Sequence, residues 1–169
     1  MDVDLIPTLI DQYRETFEGE VSPGRCWITD GPPESALFGT LDTLSPAQAF
    51  TPPTPRGRSI AAHVRHVGYT LDLTLRRLHG ENPATDWPGS FALPANASDP
   101  RAQDELWSTL RRDLRAAYDG VLAFVQQHRS TPAEKWPPIH LAGLAAMTAH
   151  NAYHLGAIRQ VARVVRGHG

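Results

Sequence analysis

The chain has 169 residues, of which 41% are apolar and 20% charged, with a formal net charge of −2. This length fits one domain that can bury a core without disulfides, and the charge provides no basic surplus for binding nucleic acid. Cys26 is the single cysteine, which excludes an intramolecular disulfide, so any metal ion must be held by His, Asp or Glu.

The N-terminal segment and the hydropathy of the chain argue against export and membrane insertion. The segment MDVDLIPTLIDQYRETF carries acidic residues where a signal peptide would be positively charged. No apolar run approaches the roughly 20 residues of a membrane span. We therefore expect a cytoplasmic protein that forms one domain over residues 1–169 and binds neither nucleic acid nor membranes.

Four segments have the periodicity of amphipathic helices. Ser59 is a plausible N-cap for the second of them, and Gly80 is a natural stop for it. Asp99-Pro100 opens the third. The four helices are predicted at about residues 3–18, 59–80, 99–128 and 139–166.

Two long connections and one short one join these helices. The first, residues 19–57, contains seven prolines, and short helical turns are predicted within it at about 34–44 and 46–50. The second covers residues 81–98, whereas the last, TPAEKWPP, is short and favours antiparallel packing of its two helices. No segment alternates as a strand would, so we predict an all-α four-helix bundle with two long crossover connections.

A pair of histidines lies on the last predicted helix. His150 and His154 are four residues apart, so they stack one turn above the other on the same face. A helical wheel places both in the apolar stripe of Met147, Ile158 and Val161. Two buried imidazoles favour a shared partner such as a metal ion. Core histidines that hydrogen-bond to neighbouring helices are the alternative, and the pair alone does not decide.

A second pair, His63 and His66, lies on the second predicted helix. With Ile60 as the reference of the wheel, His63 lies about 60° and His66 about 120° away. The wheel therefore favours His63 as the residue that points inward.

The segments HNAYHLGAIRQVARV and GRSIAAHVRHV resemble the last and second helices of the DinB/YfiT-like superfamily. In that family an HxxxH pair precedes a small residue and an apolar run, and a Ser/Thr-apolar helix start precedes the third ligand histidine by seven residues. Counted from Ser59, that histidine is His66. The resemblance implies the family's bundle and a metal site of His66, His150 and His154, with zinc or nickel as the ion.

The same resemblance implies a class of chemistry. Characterised relatives include bacillithiol S-transferases and mycothiol-dependent maleylpyruvate isomerases, which use a low-molecular-weight thiol and a small-molecule substrate. It also implies a homodimer, because these bundles often pair. Two alternatives stay open: a non-catalytic, stress-associated bundle or dimerisation module with structural histidines, and a metal-dependent hydrolase that uses the same ligands.

Four further residues are candidates for lesser roles near such a site. Tyr153 could orient a ligand or donate a proton, although packing is its more frequent role. Asn151 could hydrogen-bond a group that supports a ligand, and a cap or interface role is the equal alternative. Trp27 and Trp87 could line the mouth of a pocket, although burial beneath the loops is the expected environment. His63 is kept as the alternative ligand, and no catalytic residue beyond the ligands is assigned.

Overall fold

The computed structural model describes residues 5–167, and this part of the chain is helical with no strand. Four long helices carry most of it, as the periodicity predicts, so the all-α class is confirmed. The predicted start of the first helix, residue 3, lies outside the described residues. The α-helices are α1 (Leu5–Glu18), α2 (Leu37–Asp42), α3 (Pro46–Phe50), α4 (Ile60–Leu78), α5 (Pro100–Gln127) and α6 (Pro138–Val165).

Local capping explains where two of these helices begin. The Ser59 hydroxyl accepts a hydrogen bond from the Ala62 amide at 3.3 Å, which caps α4. At α3, the Ser45 hydroxyl accepts from the Gln48 amide while the Gln48 side chain accepts from the Ser45 amide, with Pro46 in the first turn. The first residue of each of these two helices is set by a capping side chain within one turn of it, so the start can be predicted from the sequence.

The structure divides into two compact units. The first comprises the chain up to residue 43 together with residues 119–155, and the second comprises residues 44–118 together with the chain from residue 156. Both α5 and α6 contribute residues to each unit. The first unit has a core of apolar residues from α1, α5, α6 and the loop before α6. The second unit buries one face of α4. The first core consists of Ile6, Ile10, Val125, Trp136 and Leu144, and the α4 face includes Ile60, Val64, Val67 and Leu71.

A buried carboxylate organises the first connection within the first unit. Glu15 on α1 is 2% exposed, and its Oε1 accepts hydrogen bonds of 2.7–2.8 Å from the consecutive amides of Trp27, Ile28 and Thr29. Burial by itself would raise the pKa of Glu15, but these hydrogen bonds outweigh it, so the pKa lies below its ordinary value. The carboxylate therefore ties the loop to α1.

α6 is unusually poor in charge and leaves part of its apolar surface exposed. No Asp, Glu, Lys or Arg occurs between Pro138 and Ile158. Ile139 is 75% exposed and Tyr153 is 69% exposed, with exposed alanines between them at helical spacing. Across residues 5–167, no helix has both the length and the apolar character needed to cross a bilayer.

Candidate metal centre

The two histidines of α6 face one another across one helical turn. His154 is 3% exposed, and its Nε2 lies 3.2 Å from Nε2 of His150. The ring centroids are 4.5 Å apart and the rings are tilted by 66°. The i,i+4 spacing thus brings the same nitrogen of each ring to one point, as two ligands of one ion require.

On α4, His66 is held by residues of the Gly89–Phe91 3₁₀ helix. Its ring is 6% exposed, and Nδ1 lies 2.7 Å from the Ser90 hydroxyl. The Phe91 ring stacks on the imidazole at a centroid distance of 3.8 Å and an interplanar angle of 7°. The hydrogen bond and the stack together restrict the orientation of His66.

His66, His150 and His154 each offer one ring nitrogen, and these three nitrogens lie within 4.8 Å of one another. Two nitrogens that bind one tetrahedral zinc ion are roughly 3.3 Å apart, because each Zn–N bond is about 2.0–2.1 Å. The 3.2 Å separation on α6 matches that spacing. The three imidazole donors therefore suit a divalent transition-metal ion.

The electrostatics favour neutral imidazoles, which are the form that binds metal. Burial lowers the pKa of His150, and the nearby Asn151 side chain opposes that shift. Burial also lowers the pKa of His63, and the positive charge of Arg58 acts in the same direction. Both shifts favour the neutral form of these rings.

Of the two α4 candidates, His66 is the one that groups with the α6 pair. His63 is also buried, at 9% exposure, and its ring meets the edge of Phe91 at 6.0 Å. The helical wheel favoured His63, whereas the cluster of three histidines contains His66. A wheel gives the direction of a side chain on its own helix but not which other segments pack against it. Here Phe91, from a loop, contacts the rings of both His63 and His66.

Asn151 and Tyr153 differ sharply in their surroundings. Asn151 is completely buried. Its side-chain amide lies near His150, but among the described residues neither of its polar atoms has a partner with hydrogen-bond geometry. Tyr153 is 69% exposed and packs edge-on against the His154 ring at 5.0 Å. Both residues border the histidine pair, and their roles stay predictions.

The expected burial of the two loop tryptophans is wrong. Trp27 is 80% exposed and Trp87 is 49% exposed. The Trp27 backbone is held by Glu15, so the loop is anchored by its main chain while the indole remains in solvent. Trp87 meets the Tyr69 ring edge-on at 6.1 Å, which covers only part of it. Their proposed place at the mouth of a pocket stays a prediction.

Sequence reasoning missed Ser90 and Phe91, which contact His66 from 24 and 25 positions along the chain. They belong to DWPGSF, a segment with turn-forming residues and no metal-ligand pattern. The approach of this loop to α4 is a tertiary contact, so no spacing rule could reveal it.

The fold and the site define an all-helical protein with a cluster of three histidines suited to a divalent metal ion. The DinB superfamily model matches residues 34–158, a range that includes most of the chain and all three histidines. The chain belongs to the DinB superfamily. No curated protein and no solved structure matches it.

Proposed function

We propose that this chain is a metal-dependent enzyme in which His66, His150 and His154 bind one zinc or nickel ion. The observation that carries the proposal is the convergence of three imidazole nitrogens within 4.8 Å. Three histidine ligands leave a coordination position for substrate or water, which is typical of catalytic rather than structural sites. Family membership supports the same assignment.

The reaction that we propose is transfer of a low-molecular-weight thiol to a small electrophile in the cytoplasm. A bound divalent ion supplies Lewis acidity, which lowers the pKa of a coordinated thiol. The thiol sulfur forms a bond to an electrophilic carbon, the leaving group departs with its electron pair, and the thiol proton passes to solvent. Trp27 and Trp87, which are both exposed, are candidates for contacts with the substrate.

Thiol transfer predicts turnover that depends on both metal and thiol. We expect the zinc- or nickel-loaded protein to conjugate monochlorobimane to bacillithiol, mycothiol or glutathione, followed by fluorescence. His154→Ala should reduce the rate at least 100-fold, because loss of a ligand removes the ion, whereas His79→Ala, at an exposed helix end, should not. Hydrolysis of an ester without thiol, in place of conjugation, would contradict this proposal and support the hydrolase.

We also propose that the chain forms a homodimer through the exposed apolar face of α6. Ile139, Tyr153 and the alanines between them form a charge-free exposed stripe, and such patches mark interaction surfaces. Light scattering at micromolar concentration should give twice the 18.6 kDa chain mass. Ala149→Glu on this face should yield the monomer mass, and a wild-type monomer would contradict the proposal.

A further inference from the structure

We infer that Ser90 is a positioning residue that holds His66 as the Nδ1–H tautomer and so directs the Nε2 lone pair to the metal. The inference about the tautomer concerns this chain alone, and only its consequence for metal binding rests on the proposed function. Ser90 is 1% exposed, and its hydroxyl carries a single hydrogen.

The Ser90 hydroxyl donates that hydrogen to the Trp87 carbonyl. The Oγ–O distance is 2.6 Å, which without an intervening proton would place two electronegative oxygens in repulsive contact. Ser90 Oγ also lies 2.7 Å from Nδ1 of His66. Because the hydroxyl has no second hydrogen, it must accept in this contact and Nδ1 must donate. A neutral ring protonated at Nδ1 has its lone pair on Nε2.

The loop that carries Ser90 is itself held in place. The Ser90 amide donates to the Asp86 carbonyl at 3.0 Å, and the Asp86 amide donates to the Tyr69 hydroxyl of α4 at 2.8 Å. Asp86 Oδ1 accepts from the Gly89 amide at 2.9 Å. These bonds fix the hydroxyl relative to α4, the helix that carries His66.

The plane of the His66 ring is fixed as well. Phe91 stacks on it at 3.8 Å, and the Arg58 guanidinium lies over the same phenyl ring at 3.6 Å. The guanidinium and the imidazole cannot both occupy the same face of the Phe91 ring at these distances, so Phe91 lies between Arg58 and His66. A ring held by this stack and by one hydrogen bond presents Nε2 in a single direction. Metal-binding histidines typically use their second nitrogen in this way.

The first test measures the tautomer in metal-free protein. Imidazole ¹⁵N shifts from two-dimensional NMR, recorded on the neutral ring, should show Nδ1 protonated in the wild type. In Ser90→Ala the ring should move towards the Nε2–H form that free imidazole prefers, and Ser90→Thr, which keeps a hydroxyl, should restore the wild-type pattern. An Nε2–H tautomer in the wild type would overturn the inference.

The second test measures zinc affinity by competition with a chromophoric chelator. Ser90→Ala should weaken binding 10–100-fold, the usual effect of removing a partner of a ligand histidine. Ser98→Ala, in the exposed neighbouring 3₁₀ helix, should bind as the wild type does. Unchanged affinity in Ser90→Ala would overturn the positioning role. A wild type that binds no zinc would instead refute the proposed function and leave the tautomer to be decided by NMR.

Discussion

His154→Ala is expected to abolish the rise in melting temperature that zinc or nickel produces in the wild-type chain. A ligand present at 100 times its Kd stabilises the folded state by about 2.7 kcal/mol. For a domain of this size that corresponds to a rise of roughly 5–11 °C. His154 is 3% exposed and its Nε2 lies 3.2 Å from Nε2 of His150, so alanine removes one of the three proposed ligands. Differential scanning fluorimetry with and without metal measures the effect.

Two histidine variants provide the controls. His79→Ala changes an exposed ring at the end of α4 and should keep the full metal-dependent rise. His63→Ala changes a buried ring on the same helix. It should lower the melting temperature of the metal-free protein but leave the metal-dependent rise in place. If metal stabilises His154→Ala as much as the wild type, the assigned ligand set is wrong. If metal stabilises neither, the non-catalytic bundle with structural histidines becomes the better account.

Glu15→Ala is expected to lower the free energy of unfolding by roughly 2–4 kcal/mol, because it removes the acceptor of three backbone amides, one of them buried and two partly buried. The amides of Trp27, Ile28 and Thr29 all donate to this one carboxylate. Urea denaturation followed by circular dichroism measures the loss. Glu18→Ala is the matched control on the same helix. It breaks a half-exposed pair with Arg14 and should cost less than about 1 kcal/mol.

The same carboxylate predicts how stability depends on pH. The pKa of Glu15 is lower in the folded chain than its ordinary value, so its contribution is fully present above the unfolded pKa of about 4.3. It is lost as the pH falls through the lower, folded pKa. Glu15→Gln should therefore reduce the dependence of the urea midpoint on pH in this acidic range. An identical pH profile for wild type and variant would contradict the assigned role.

The sequence by itself determined the features that depend on neighbours within one or two turns. Ser45 and Ser59 cap α3 and α4 because each side chain accepts from the amide three residues ahead. His150 and His154 meet because residues four apart share a helix face. The all-α class followed from the same local periodicity. The third histidine came from the family resemblance, since the wheel by itself favoured His63.

The tertiary structure decided the features that depend on contacts between distant segments. The hydrogen bond of His66 to Ser90 and its stack on Phe91 both require the segment that carries Ser90 and Phe91 to reach α4. The three hydrogen bonds that loop amides donate to Glu15 likewise form only because the first connection folds back onto α1. Helical spacing describes one element at a time, whereas these contacts join irregular loops to helices, so only the folded chain could reveal them.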